Sequence, residues 1–261
     1  MKRSGRDRVG AVSEPSIDFQ RQRYDREAVA YDRHHGDPYS QLYRDEFIRD
    51  KIFQFDLSGK KVLDAMSASG IETGYLISRG AVVTGLDISA ENAGLYEKKW
   101  GCPCLVHSIH QTGIDDASFD VVYIYGGLHH VLPILDETMT EIHRILKPGG
   151  YFCFVEPNAD TWMNALRSFW YRRDKRFHES EEGISYRRVL RPYLDLGFVE
   201  GDIFFGGTIA YLVIAQSLII RTPRLLKKIL WRPLFLLEKI TSCLPFSPNL
   251  FFAAVWRKTG S

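Results

Sequence analysis

The chain has 261 residues, of which 45% are hydrophobic, 13% aromatic and 25% charged. That is enough apolar material for the core of one full-sized domain and too much for a disordered chain. Charge is nearly balanced, 34 Lys+Arg against 32 Asp+Glu for a net +2, which excludes a whole-molecule electrostatic grip on nucleic acid. The four cysteines, Cys102, Cys104, Cys153 and Cys243, form no CxxC pair. They exclude a disulfide scaffold and a zinc ribbon and point to a reducing, cytoplasmic setting.

Residues 1–16 carry positive charge with no apolar run behind it and read as a solvated tail, not a signal peptide. Residues 17–57 are rich in aromatics and charge. Within them Leu42, Phe47, Ile48, Ile52 and Phe55 recur near a helical period, so one amphipathic helix is expected to end near Leu57, stopped by Ser58-Gly59. A rhythm of apolar run, turn and helical pattern follows. Strands are expected at Lys61–Ala65, Val82–Leu86, Pro103–His107, Phe119–Tyr125 and Tyr151–Glu156, and helices at Gly74–Ser78, Ala90–Trp100 and Asp136–Leu146. Lys147-Pro148-Gly149-Gly150 reads as a helix stop. Strands alternating with helices in this way predict an α/β fold with a doubly wound, mostly parallel, Rossmann-like sheet.

The last third changes character. A helix over Ser185–Leu196, closed by Gly197, leads to a strand at Phe198–Phe205, and a final strand is expected at Leu250–Arg257, antiparallel at the sheet edge. Ile203 to Ile220 carries no charge over about eighteen residues, the lower limit for a spanning helix. Gly206, Gly207, Gln216 and Ser217 dilute it, so its front reads as a buried strand. Residues 207–249 form a helical insert, whose helix is expected to begin at Thr222-Pro223 and to be kinked or divided by Pro233. Arg221, Arg224, Lys228, Arg232 and Lys239 fall near one face of the insert. Leu225, Leu226, Ile229, Leu230, Leu236, Leu237 and Ile240 fall near the other, and Glu238 is the single acid. A basic face opposite an apolar one suits a helix lying on anionic lipid; a cap over substrate or a dimer interface fits the same pattern.

The boundaries are therefore a tail at 1–16, a helical lid at 17–57, a core at 58–206, the insert at 207–249, and a final edge strand and tail at 250–261.

Chemistry is expected at the carboxyl ends of the strands. In a doubly wound sheet, small residues in the first turn let backbone approach a ligand, and an acid after the second strand accepts from ribose hydroxyls. The first turn reads Asp64-Ala65-Met66-Ser67-Ala68-Ser69-Gly70, and the second strand ends in Asp87. Asp64 also reads as a cap of the following turn, and Asp87 as an acid at a helix N-terminus, since Ser89 offers a cap.

Three stretches in this order and spacing, VLDAMSASGIETGYLISRGAVVTGLDIS, SFDVVYIYGGLHHV and EIHRILKPGGYFCFVEPN, resemble the class I S-adenosylmethionine-dependent methyltransferases. They are most similar to the group called type 11 methyltransferase domains. The resemblance covers about residues 45–160 and its rhythm extends toward 205. It implies a seven-stranded sheet with an antiparallel edge strand and S-adenosylmethionine as cofactor. It also implies that Asp64, Met66, Ser67, Ala68 and Gly70 wrap the methionine part, Asp87 binds the ribose and Ile88 packs on adenine. Ser108 and Ile109 would stand at the adenine edge, with Tyr125 and Gly126 below the sulfonium. Met66, Ala68 and Ser108 depart from the family pattern, which has glycine, glycine and aspartate there.

Methyl transfer needs alignment of the acceptor and, for a hydroxyl or protonated amine, a base. His129 and His130 after the fourth strand and Glu156 at the end of the fifth are the candidates, and no metal is expected. Tyr31 and His34 in the lid, with Asn158, Trp162 and Trp170, are the candidate substrate residues. The aromatic and basic content of 160–177 suits a small-molecule, glycan or lipid-linked acceptor, met in the cytoplasm or at the inner face of a membrane through 221–240. A non-catalytic binding or regulatory module on the same fold is the alternative.

Overall fold

The computed structural model describes residues 21, 37–164, 183–216 and 222–260. Seven strands form one sheet: β1 (Lys61–Ala65), β2 (Val82–Asp87), β3 (Cys104–Val106), β4 (Phe119–Tyr125), β5 (Leu146–Pro157), β6 (Phe198–Gly206) and β7 (Phe251–Lys258). Their order is β3-β2-β1-β4-β5-β7-β6. β1 to β5 pair in parallel, and β7 runs antiparallel to both β5 and β6. The last strand thus lies inside the sheet and β6 is the edge, a correction to the final edge strand expected at 250–261. The reason is that β7 is hydrogen-bonded on both sides, to β5 along Tyr151–Pro157 and to β6 along Phe198–Gly206, with Phe251 to Trp256 buried while Val199 on β6 is exposed.

Both sheet faces are covered, so strand side chains alternate between two apolar layers. Val122, Ile124, Phe152, Phe154, Ala254 and Trp256 enter one core beneath α4 (Leu135–Ile145) and the helical turns Tyr186–Leu190 and Arg191–Leu196. Val121, Tyr123, Cys153, Val155, Ala253 and Val255 enter the other. That second layer is built by α1 (Pro38–Arg44, continued through a π turn, Asp45–Arg49, to Asp50–Ile52), α2 (Thr73–Ser78) and the insert helix α5 (Arg224–Ser242). The helix α3 (Ala90–Trp100) is capped by Ser89, whose hydroxyl accepts from Asn92 N at 3.1 Å, and ends at left-handed Gly101.

α1 shows what periodicity alone cannot resolve. The π turn adds a residue to one turn and shifts the phase, so Tyr43, Arg44, Phe47 and Ile48 point inward while Leu42 is exposed. The described part of the proposed lid, 37–57, packs against the sheet face. The rest, with Tyr31 and His34, lies outside the described residues, as does Trp170.

The insert is a correction of another kind. α5 runs through Pro233 as one helix. Its buried stripe is Lys227, Phe235 and Glu238, while Leu225, Ile229, Leu236 and Ile240 are exposed. Lys227 Nζ donates to Asp37 Oδ2 at 2.7 Å, Ser40 Oγ at 3.2 Å and Ile214 O at 2.8 Å, which uses all three ammonium donors. Glu238 accepts from Tyr43 Oη and Thr208 N at 2.7 Å each, Thr208 Oγ1 at 2.5 Å and Ala210 N at 2.9 Å. Burial and the Glu238 carboxylate push the Tyr43 phenol well above its usual pKa, so it remains a donor. Phe235 meets Phe47 edge-on at 5.1 Å between centroids. Charges buried without such partners would be costly, so these contacts fix which side of α5 faces in. The described part of the apolar run after Ile203, up to Gln216, resolves into β6 and a short helical turn, Tyr211–Ala215. Among the described residues no helix is long and apolar enough to cross a membrane.

Candidate functional site

Strand order reverses between β1 and β4, and a doubly wound sheet presents a crevice there, above the carboxyl ends of its strands. The loop leaving β1 lies at this point. Met66, Ala68 and Gly70 have φ of 56°, 47° and 77°, an alternation of left-handed residues that normally asks for glycine. The backbone trace of a glycine-rich loop is therefore kept although two of its three positions carry side chains. At Gly70 glycine is obligatory: a Cβ would stand 2.4 Å from Trp100 Nε1. Ser67 and Ser69 between them are buried.

Asp87, at the end of β2, reaches this loop. Its Oδ2 accepts from Ala68 N at 2.8 Å, and its Oδ1 accepts from Ser89 N at 2.9 Å and Asn92 Nδ2 at 3.3 Å. It thus serves the loop and the start of α3 together, as its reading as an acid at a helix N-terminus expects for α3. Ile88 is half-buried beside it. Asp64, at the base of the loop, accepts from Thr73 Oγ1 at 2.6 Å; burial pushes its carboxyl up to about 7, more than the Thr73 hydrogen bond lowers it.

On the β4 side, Gly126 has φ of 65°, and no atom lies within 4 Å of where its Cβ would stand. Space is open there. At the next residue it is not: Met66 packs its Sδ 2.6 Å from the Cβ position of Gly127. Tyr125 is half-buried under the Arg44 guanidinium, 4.7 Å from the ring centroid. Ile109 is buried in the core, and Ser108 Oγ shares a 2.7 Å hydrogen bond with His110 Nδ1. Left-handed backbone at 66, 68 and 70, Asp87 at the loop and open space beside Gly126 together fit an adenosyl sulfonium laid across the strand ends.

Glu156 and His129 form the second part of the site. Glu156 Oε1 accepts from Gly127 N at 2.9 Å and Leu128 N at 2.7 Å, and its Oε2 meets His129 Nδ1 at 2.7 Å. Glu156 is 1% exposed, so its carboxylate holds the β4 loop and the imidazole in one fixed arrangement. His130 is half-buried with its ring centroid 3.8 Å from that of His129.

Asn158 closes β5. It is buried, its Nδ2 donates to Asn249 O at 2.9 Å and its Oδ1 accepts from Asp160 N at 2.9 Å. These bonds tie the end of β5 to the segment before β7 and direct the amide to backbone. Trp162 is exposed, with Nε1 donating to Phe246 O at 3.2 Å, beside the end of the insert.

Sequence reasoning did not single out Glu72, the residue before α2. Its carboxylate accepts from Arg44 Nη1 at 2.9 Å, Arg49 Nε at 2.7 Å and Tyr123 Oη at 3.2 Å. Burial alone would raise its pKa, but Arg49 and Arg44 outweigh that and hold it below the usual carboxylate range. The cluster clamps α1 to the foot of the loop. Its one sequence signal was two arginines inside the apolar pattern of α1.

A family model described as a methyltransferase domain matches residues 63–154. An uncharacterized methyltransferase of Synechocystis sp. is 34% identical over 115 residues, 43% of this chain and 52% of that protein. A fatty-acid O-methyltransferase of Mycolicibacterium smegmatis is 30% identical over 122 residues, 43% of this chain and 44% of that protein. The matched region thus spans about half the length of these relatives. Among solved structures, the N-methyltransferase NodS of Bradyrhizobium japonicum, in complex with S-adenosyl-L-homocysteine, superposes with a TM-score of 0.58 at 13% identity, covering 91% of this chain and 97% of that one. An S-adenosylmethionine-dependent methyltransferase of Methanosarcina mazei gives 0.57 at 18% identity, covering 83% and 99%. Residues 63–154 match a methyltransferase domain, and the sheet around them has the fold of the class I S-adenosylmethionine-dependent methyltransferases.

Proposed function

We propose that the chain is an S-adenosylmethionine-dependent methyltransferase acting on a small-molecule, glycan or lipid-linked acceptor in the cytoplasm or at the inner face of a membrane. The observation that carries this reading is the left-handed backbone at Met66, Ala68 and Gly70, kept where two side chains make it costly and bonded to Asp87 through Ala68 N. Strained backbone of this kind clusters at ligand-binding sites, where the surrounding structure holds it, and so points to a ligand here. Asp64 and the loop to Gly70 would hold the methionine part, Asp87 and Ile88 the ribose and adenine, Ser108 and Ile109 the adenine edge, and Tyr125 and Gly126 the floor. When bound, the cofactor supplies a methyl group made electrophilic by a sulfonium.

Glu156 fixes His129 through Nδ1 and leaves Nε2 as the nitrogen that accepts a proton from an acceptor hydroxyl or ammonium. Glu156 is then a positioning residue, and the His130 ring lies tilted against it. The fatty-acid O-methyltransferase among the relatives supports an apolar acceptor.

The test is transfer of labelled methyl from the cofactor to a panel of fatty acids, glycolipids and soluble sugars. His129→Ala is expected to lower the transfer rate about a hundredfold or more with cofactor binding unchanged. Equal rates for the variant and the parent protein would remove His129 from the chemistry. A binding or regulatory module remains the second reading, favoured by the Met66 side chain lying over Gly127; cofactor binding without transfer to any acceptor would select it.

A further inference from the structure

α5 turns its wrong side outward for a helix packed on a domain. Leu225, Ile229, Leu236 and Ile240 form one stripe at helical spacing, and the first three are 72%, 65% and 63% exposed. The stripe continues past the helix end through Leu244 to Phe246, 84% exposed, and Trp162, whose indole is bonded to Phe246 O. Exposed apolar surface this continuous is rare on a protein that stays in water.

Lys228 and Arg232 are exposed along one flank of the stripe, and Lys239 in line with them is paired with Glu46 at 2.5 Å. The only acid of the helix, Glu238, is buried on the opposite side and accepts from the protein's own Tyr43, Thr208 and Ala210. The outward surface of α5 is thus an apolar crest with basic residues on its flank and no carboxylate of its own. A convex crest of this kind matches the boundary between acyl chains and anionic headgroups, where aromatic side chains also settle.

Building on the transferase reading, which asks for an acceptor of this character, we infer that the outward face of α5, with Phe246 and Trp162, docks the protein on an anionic bilayer surface. Leu225, Ile229, Leu236 and Ile240 enter the acyl boundary. Lys228 and Arg232 lie at the phosphate level, and Lys227 and Glu238 keep the helix turned this way.

The test is flotation of the full chain with phosphatidylcholine vesicles, with and without phosphatidylglycerol, alongside calorimetry with S-adenosylmethionine on the same preparation. The protein is expected to float with the anionic vesicles and far less with the neutral ones. I229S/L236S is expected to weaken partition by at least about tenfold, and K228Q/R232Q by about fivefold per charge, both with unchanged thermal melting because these side chains are exposed. A chain that stays in the soluble fraction overturns the inference. So does a solution dimer that I229S/L236S splits, which would assign the face to a second copy. Cofactor binding without flotation removes docking alone; flotation without cofactor binding removes the transferase reading alone.

Discussion

The loop after β1 and the insert helix are both places where the sequence departs from its simplest pattern, and the structure resolves the two departures in opposite ways. At the loop, Met66 and Ala68 replace residues that would cost nothing, and the backbone keeps its left-handed course regardless. At the insert, the leucines and basic residues keep a clear helical pattern, and the helix is turned so that the apolar stripe faces out. Backbone geometry is held in one case against local cost. Orientation is decided in the other by two buried charges, each with several hydrogen-bond partners.

The largest effect is expected where orientation is decided. Glu238→Ala leaves Tyr43 Oη, Thr208 N and Ala210 N without their acceptor in a buried site. It should lower stability by about 3–5 kcal/mol in urea unfolding. An unchanged midpoint would show that the leucine stripe, not Glu238, sets the turn of α5.

The next effect is one of pH. Burial raises the Asp64 carboxyl to about 7 in the folded chain, against 3.8 when unconstrained, so the folded state binds the proton more tightly than the unfolded one. Stability is therefore lost as pH rises from about 4 to 7 and is level above. Asp64→Asn keeps an acceptor for Thr73 and removes this loss. It should melt higher than the parent protein at pH 8, with the difference fading toward pH 4. A difference that grows toward acid would place the Asp64 carboxyl in another environment.

The smallest effect belongs to the loop itself. Ala68→Gly relieves a left-handed alanine and should add about 1 kcal/mol of stability. A loss instead would mean that the alanine methyl packs usefully.

Much of the fold was legible because both faces of the sheet are buried. Strands β1, β4 and the interior of β5 read as apolar runs, and α3 was bounded by Ser89 and Gly101. The place of β7 was not legible, since its run from Phe251 to Trp256 says only that it is buried, not which strands flank it. In the candidate site, the loop, Asp87, His129 and Glu156 stood out by their position after strands. Glu72 did not, because its meaning depends on Arg44 and Arg49, more than twenty residues earlier in the chain. Asn158 looked like a cleft residue for the same positional reason, but its partners, the backbone of Asn249 and Asp160, come from the segment before β7 and from its own turn. Lys227 and Glu238 read as solvated charges until their partners on α1 and after β6 are known.

The central claim is that the strained loop and Asp87 still hold an adenosyl sulfonium. Isothermal titration of the full chain with S-adenosylmethionine and S-adenosylhomocysteine tests it most directly. Saturable binding in the micromolar range, weakened at least about tenfold by Asp87→Ala, is the predicted result. No heat of binding up to about a millimolar ligand would contradict it.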